Sequence, residues 1–200
     1  MADRRSSPMA GVVLAGGKST RLGQDKARIK VAGLEMLHRT VQLLSSFTSE
    51  LWVVGRDPGP MLPTIRWALD ERPGLGPVGG ICTALHCTRK PCLVLSCDLP
   101  FLDRETLEKL AGQRAKRTPD QVMTTFQQVE TGYIESLVAI YEPEALGLME
   151  EAVGQGIYKL SRIFTPERRC HIPYTHDQAL PFFNINHPAE LALMRKLAEA

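Results

Sequence analysis

The chain has little net charge and lacks any long apolar segment. Its 24 Lys and Arg residues face 22 Asp and Glu residues, giving a formal net charge of +2, so no global field draws it towards nucleic acid or an acidic membrane surface. No run approaches the ~20 apolar residues that span a bilayer, and residues 1–8 lack the apolar core of a signal peptide. We therefore expect a cytoplasmic protein with no nucleic-acid or membrane partner.

The basic cluster Arg114, Lys116 and Arg117 ends a predicted helix, and we expect it to be solvated.

Cysteine is present, but in a spacing that matches no common metal site. Four of the 5 cysteines recur at a constant interval, which fits neither CxxC ligands nor a disulfide framework. On a helix this interval rotates each residue by about 140°, so the side chains share no face. We predict small buried apolar residues in a reducing compartment. The four are Cys82, Cys87, Cys92 and Cys97.

The pattern of apolar residues predicts an α/β fold. Hydrophobic residues make up 44% of the 200-residue chain, which suits one domain with a full core. Apolar runs of strand type alternate with amphipathic helical patterns, which indicates a Rossmann-like three-layer α/β/α sandwich with a mainly parallel sheet. We predict a single domain over residues 1–200, of which 1–8 form a flexible tail. The first four predicted strands end at Leu14, Val54, Leu69 and Ser96.

The stretch from Val12 to Lys26 has the form of a phosphate-binding segment. An apolar strand ends at Leu14, and Ala15-Gly16-Gly17 then removes side chains, so the backbone can turn tightly and approach a ligand. Free backbone N–H groups and nearby cations together neutralise a polyphosphate, which makes a nucleoside triphosphate the expected ligand. The alternative is a tight turn with solvated cations. The cations are Lys18, Arg21 and Lys26.

Two familiar nucleotide signatures fit the chain poorly. A Walker A loop ending in Gly17-Lys18-Ser19 would need a glycine where Val12 stands. The glycines of residues 74–79 spell GxGxxG, which keeps a dinucleotide site open as an alternative. However, Asp70 to Pro73 separate them from the preceding strand, whereas that fingerprint places its first glycine at the strand end.

Asp98 follows the most strand-like run of the chain, Cys92 to Ser96. A carboxylate at the tip of a buried strand costs desolvation free energy unless a cation meets it. Mg²⁺ fits this requirement, because it needs only one or two carboxylates in addition to substrate phosphates and water. The alternative is that Asp98 only caps the following turn.

Three separated motifs resemble those of the molybdenum cofactor guanylyltransferases, members of the nucleotidyltransferase superfamily. LAGGKSTRLGQDK at residues 14–26 is similar to the family signature LAGGxSxRMGxDK, and residues 98–101 match its Asp-Leu-Pro-Phe metal-binding motif. The ending at residues 182–191 resembles FNINTPxDL. The resemblance implies the nucleotide-diphospho-sugar transferase type of fold. It also implies Mg²⁺-dependent transfer of GMP from GTP to the terminal phosphate of molybdopterin, with release of pyrophosphate.

The resemblance also implies roles for individual residues. Arg21, Lys26 and Asp98 would be catalytic, and Asp98 would hold the metal. Asn184 and Asn186 would line the acceptor side, although both could merely satisfy loop backbone groups. Asp70 would contact the nucleotide or, alternatively, cap its own loop. The full nucleotide-binding set would be Leu14, Ala15, Gly16, Gly17, Lys26, Asp70, Gly76, Pro77 and Asp98.

The implied partners are GTP and either molybdopterin or the molybdenum cofactor, together with other cofactor-biosynthesis proteins or molybdoenzyme apoproteins. Two departures from the family pattern affect these substrates. Gly55 stands where relatives often have an asparagine that touches the nucleotide, and Glu135-Ser136 replaces a Gln-Pro or His-Pro pair that faces the pterin. They keep two alternatives open: a cytidylyl or sugar-phosphate nucleotidyltransferase, and a nucleotide-binding module without turnover.

Overall fold

A computed structural model describes residues 8–17, 22–60, 62 and 65–199 of the chain. Residues 1–7 of the predicted tail lie outside this range, as do Lys18 and Arg21. The strands are β1 (Ala10–Leu14), β2 (Lys30–Val31), β3 (Leu34–Glu35), β4 (Glu50–Val54), β5 (Arg66–Ala68), β6 (Cys92–Ser96), β7 (Met123–Gln128), β8 (Ile134–Tyr141) and β9 (Arg169–Tyr174).

Six α-helices and several short 3-10 turns accompany the described strands. The helices are α1 (Met36–Ser45), α2 (Pro77–Thr88), α3 (Arg104–Arg114), α4 (Ala145–Gly154), α5 (Leu160–Ile163) and α6 (Pro188–Glu199). Among the described residues, no helix combines the length and the apolar composition needed to cross a membrane. Two local predictions were incomplete. Helix α2 begins at Pro77 rather than Ile81, because proline is well suited to a first helical position. Residues 27–31 were predicted to be extended, but Lys26–Arg28 form a 3-10 turn before β2.

The main sheet has seven strands in the order β5-β4-β1-β6-β8-β7-β9. Strands β5, β4, β1 and β6 are mutually parallel, whereas β8 runs antiparallel to both β6 and β7. Strand β9 is parallel to β7. The predicted α/β fold with a mainly parallel sheet is confirmed.

Helices cover both faces of this sheet. On one face, α1 and α3 bury Leu44 and Leu107 against strand residues such as Val13. On the other face, α2 and α4 bury Ile81 and Met149 against the alternate strand residues. Successive strand side chains point to opposite faces, so each central strand serves both cores. The result is the predicted three-layer α/β/α sandwich.

A third, smaller cluster attaches the C-terminal segment to the region around β2. Leu191 and Met194 of α6 pack with Ile185, Ile29 and Met36, all of them buried. This apolar contact brings the segment before α6 close to the turn that contains Lys26.

The basic cluster at the end of α3 differs from its prediction. Arg114 and Arg117 are buried and both donate to Glu142, with Arg114 Nε and Arg117 Nε lying 2.7 Å and 2.9 Å from Oε1. Arg114 Nη2 donates to the second carboxylate oxygen at 3.0 Å. The expectation of a solvated cluster is therefore wrong for these two residues, because a carboxylate distant in sequence pairs with them.

Glu142→Ala should lower the free energy of unfolding by about 3–5 kcal/mol, because it leaves two buried guanidinium groups without their shared carboxylate. Urea unfolding measures this effect. Glu108→Ala is the matched control: it removes a 2.8 Å pair with Arg104 on the exposed face of α3 and should cost under ~1 kcal/mol. Equal losses in the two variants would contradict the importance of the buried pair.

Candidate active site

Four neighbouring parallel strands end at the same level of the sheet. Leu14 lies opposite both Val54 and Ser96 in the pairing register, and Val54 lies opposite Ala68. The residues that follow these strands therefore emerge together at one edge, the edge at which ligands bind in open α/β sheets. The residues two positions beyond the strand ends are Gly16, Arg56, Asp70 and Asp98.

The Lys26 ammonium group joins residues from three distant parts of the chain. Its Nζ donates to Asp98 Oδ2 at 3.1 Å and to Asn186 Oδ1 at 2.5 Å. The Lys26 and Asp98 side chains are only 18% and 14% exposed, so solvent screens this pair weakly. A cleft of about 100 Å³ beside them is lined by Leu14, Ala15, Gly16, Gly17, Asp25, Lys26, Ala27, Ser96, Cys97 and Asp98.

Hydrogen bonds fix both the side chain and the backbone of Asp98. Ser96 Oγ donates to Asp98 Oδ1 at 2.6 Å, and the Asp98 carbonyl accepts the Ile185 N–H at 3.0 Å. A carboxylate has about four acceptor positions, so these contacts leave capacity for a cation. The described residues contain no cluster of three or more His, Cys, Asp or Glu side chains that could hold a metal ion. A single carboxylate nevertheless suits Mg²⁺, which keeps waters and takes substrate phosphate oxygens.

Asp70 lies against two glycines at the same edge. A Cβ atom added to Gly16 would lie 3.4 Å from Asp70 Oδ2, and one added to Gly80 would lie 3.3 Å from Oδ1. Burial raises the pKa of Asp70, and the structure shows no donor to its carboxylate among the described residues. A partly buried acceptor in this position is available to a ligand. Gly76, with φ of 64°, and Pro77 begin helix α2 one turn before Gly80.

The departure at Gly55 has a steric reason in this chain. Gly55 has φ of 98°, and a Cβ atom there would lie 2.5 Å from Gly16 Cα and 2.6 Å from Gly16 N. The turn after β4 therefore touches the bare turn after β1 directly. An asparagine at position 55 would need one of these turns to move.

The two C-terminal asparagines have different environments. The carboxylate of Glu190 accepts the N–H groups of Asn186 and His187, which fixes the backbone that presents Asn186 to Lys26. The Asn184 side chain instead donates to the Phe182 carbonyl at 3.2 Å. Asn186 thus contacts Lys26, whereas Asn184 satisfies a backbone group of its own loop. The role of both asparagines in binding the acceptor stays a prediction.

Glu135 forms a buried polar contact near the start of β8. The Tyr174 hydroxyl group donates to Glu135 Oε1, and burial raises the pKa of this carboxyl group. Partial burial together with the charges of Glu135 and Asp98 raises the pKa of Tyr133, whose side chain is exposed. The Glu135-Ser136 departure therefore puts a buried acid, bound to Tyr174, at the start of β8.

Sequence reasoning missed Asp25 and Arg56 as residues of the site. Arg56 follows Gly55 and binds the Asp25 carboxylate through two hydrogen bonds of 2.7 Å. The Arg56 guanidinium holds the pKa of Asp25 below its usual range. Asp25 stands in the quoted signature and could have been selected from it, but no sequence signal marks Arg56. The predicted catalytic residue Arg21 lies outside the described residues.

The cysteines provide no reactive thiolate at the cleft. Burial raises the pKa of Cys97 to about 12 and that of Cys92 to about 12, so both thiols remain protonated. All five cysteines are free. The prediction of buried residues holds for Cys92 and Cys97. It is wrong for Cys87, which is exposed on α2, and Cys82 is only half-buried.

A family model described as the MobA-like NTP transferase domain matches residues 11–171. The chain belongs to the MobA-like NTP transferase family. It is therefore a nucleotidyltransferase, as its motifs predicted. The matched residues include the glycine turn, Lys26, Asp70 and Asp98, and they end before the segment that contains Asn186.

Individual relatives extend this similarity over nearly the whole chain. A probable molybdenum cofactor guanylyltransferase from Mycobacterium tuberculosis is 31% identical over 192 residues, covering 92% of each chain. A molybdenum cofactor biosynthesis bifunctional protein from Synechocystis is 32% identical over 94% of this chain, which spans only 54% of that relative's length. The crystal structure of molybdopterin-guanine dinucleotide biosynthesis protein A from Archaeoglobus fulgidus superposes with a TM-score of 0.73 at 26% identity, covering 96% of this chain and 99% of that one. The predicted type of fold is thus confirmed.

Gly55→Ala should weaken nucleoside triphosphate binding several-fold and destabilise this MobA-like NTP transferase, because the new methyl group displaces the Gly16 turn. The control is Gly59→Ala, where φ is 83° but no atom lies within 4 Å of the added Cβ. That variant measures only the loss in free energy of unfolding caused by placing a Cβ atom at positive φ, about 1–2 kcal/mol. In urea unfolding, Gly55→Ala should lose a further ~1–3 kcal/mol because its methyl group overlaps the Gly16 turn. Equal losses, with unchanged nucleotide binding, would refute the contact between the two turns.

Proposed function

We propose that this protein transfers GMP from GTP to the terminal phosphate of molybdopterin or the molybdenum cofactor, in a Mg²⁺-dependent reaction that releases pyrophosphate. The observation that carries the proposal is the convergence of Lys26, Asp98 and Asn186 beside a turn without side chains. The names of the relatives support the choice of substrates. The Mycobacterium relative is named a guanylyltransferase, and the Archaeoglobus protein a molybdopterin-guanine dinucleotide biosynthesis protein.

The turn after β1 would receive the nucleotide. Gly16 and Gly17 present backbone without side chains, and the contact with Gly55 fixes the position of this turn. Asp70 lies next to Gly16 and can accept hydrogen bonds from a base or ribose, since no described donor occupies its carboxylate. The N–H-rich edge of guanine is a suitable donor for such a carboxylate.

Lys26 and Asp98 would act on the phosphates. The Lys26 ammonium group can exchange its contact with Asp98 for a triphosphate oxygen and neutralise charge as pyrophosphate leaves. Asp98, oriented by Ser96, would hold Mg²⁺, which supplies further positive charge to the phosphate oxygens when bound.

The transfer needs no covalent intermediate on the protein. A terminal phosphate group is largely ionised at neutral pH, since its second pKa is about 6. Its oxygen can therefore attack the α-phosphorus of GTP without a general base, while the bond between the α- and β-phosphates breaks. The protonated Cys97 thiol beside the cleft is a poor nucleophile, which agrees with direct transfer.

The acceptor would approach from the C-terminal segment and β8. Asn186 binds Lys26, so an acceptor phosphate near Asn186 lies next to the group that binds the triphosphate. Near the start of β8, the Glu135 carboxylate accepts from the Tyr174 hydroxyl group, and the exposed Tyr133 offers an aromatic face. These groups suit a flat heterocycle that carries N–H donors, such as a pterin.

Incubation with each of the four α-labelled nucleoside triphosphates, Mg²⁺ and molybdopterin tests the proposal. Of the four triphosphates, we expect only GTP to give labelled product, with one pyrophosphate released per product. We expect no reaction when EDTA removes the metal. Transfer from CTP would indicate a cytidylyltransferase. In a parallel incubation with a sugar phosphate in place of molybdopterin, transfer to that sugar phosphate would indicate a different acceptor. Triphosphate binding without pyrophosphate release would indicate a binding module. Each of these three outcomes would overturn the proposal.

Asp98→Asn should lower kcat by roughly 100-fold or more, because a neutral amide binds Mg²⁺ poorly. Without the metal, the transferring phosphate lacks the positive charge that stabilises its transition state. The fold should survive, since an amide oxygen can still accept from Ser96. Steady-state kinetics and thermal unfolding measure the two effects. Asp120→Asn on an exposed turn is the control and should leave both unchanged. Full turnover by Asp98→Asn would exclude the proposed metal role.

A further inference from the structure

The ion pair between Asp25 and Arg56 connects the end of β4 with the turn that carries Lys26. Arg56 Nη1 and Nη2 each lie 2.7 Å from a different Asp25 oxygen. Such a two-point contact between guanidinium and carboxylate fixes orientation as well as distance. The two side chains are 29% and 35% exposed, so the pair is partly shielded from water.

The same carboxylate also orients the backbone around Lys26. Asp25 Oδ1 accepts the Ala27 N–H at 3.1 Å and so caps the 3-10 turn Lys26–Arg28. Ala27 is only 2% exposed and packs in the core below the sheet edge. The Asp25 side chain therefore reaches β4 while its neighbour, Lys26, reaches Asp98 and Asn186.

We infer that Arg56 is a positioning residue for nucleotidyl transfer: by binding Asp25 at two points, it sets the position from which Lys26 reaches the triphosphate. Lysine has a flexible four-carbon side chain, so the placement of its ammonium group depends on where its backbone is held. When Lys26 exchanges Asp98 for phosphate, Asp25 and Arg56 still hold that backbone. The inference rests on the proposed role of Lys26 in binding the triphosphate.

Two other roles for Arg56 are possible on chemical grounds, and each predicts a different result. Arg56 could contact the phosphates directly, but both of its Nη atoms already bind Asp25. It could instead stabilise the fold alone, in which case nucleotide affinity would not respond to its loss in the folded protein. Only the inferred positioning role predicts that the loss of affinity on removing Arg56 depends on the presence of Lys26. This dependence distinguishes it from direct phosphate contact and from a purely structural role.

A double-mutant cycle over Arg56→Ala and Lys26→Ala tests the inference by equilibrium binding of Mg²⁺-GTP and of inorganic tripolyphosphate. We expect Arg56→Ala to weaken both ligands by about 10-fold in the presence of Lys26 and by under about 2-fold in the Lys26→Ala background. Arg56→Lys keeps the charge without the two-point contact and should recover only part of the affinity. It also provides a readout if Arg56→Ala fails to fold.

Arg66→Ala is the matched control, because it removes an arginine of β5 that binds the Glu50 carboxylate of β4 at 2.8 Å and lies over the Trp52 ring. It should leave both affinities unchanged. Equal losses on Arg56→Ala in both backgrounds would show direct phosphate contact and overturn the inference alone. Wild-type affinity in Arg56→Ala would also overturn it. Wild-type affinity in Lys26→Ala would overturn both the inference and the proposed role of Lys26, whereas a different nucleobase or acceptor would overturn only the proposed function.

Discussion

The contact of the Lys26 ammonium group with Asp98 and Asn186 is the interaction on which the site depends. The partners lie 72 and 160 residues from Lys26, so only the complete fold brings them together. Apolar packing does most of this work. Helix α6 packs on the region around β2, and the Ile185 N–H binds the Asp98 carbonyl. Nonpolar burial thus provides the geometry, and the charged contact then defines a single polar position within it.

The parallel sheet explains why glycine, arginine and two aspartates occupy one edge. Four strands in register end together, and helices α1 and α2 return the chain to the opposite edge before β4 and β6. Each strand end can therefore contribute a different group without altering the cores on the two faces. This separation allows polar residues, and glycines such as Gly55 with its positive φ, to collect at the edge where ligands bind in open α/β sheets.

Much of this arrangement could be predicted from local sequence patterns. Alternating and helical apolar periodicities identified the strands and helices, because those periods follow directly from backbone geometry. The convergence of Lys26 and Asp98 was predictable in outline, since loops after parallel strands share an edge. The individual contacts were not. The contacts that Asn184 and Asn186 make depend on the path of residues 182–187, to which the attachment of α6 contributes.

Long-range ion pairs account for the largest errors in the predictions made from the sequence, and the reason is physical. Arg114 and Arg117 have a helix-end pattern typical of solvated residues, yet Glu142, which follows β8, lies buried between them. Likewise, nothing around Arg56 in the sequence indicates that Asp25 binds it. A charge can be buried only if its partner is buried with it, and the identity of that partner is a property of the tertiary fold. Asp25 caps the 3-10 turn Lys26–Arg28, whereas Arg56 follows β4, so the partner of a motif residue can lie on a loop with no binding motif of its own.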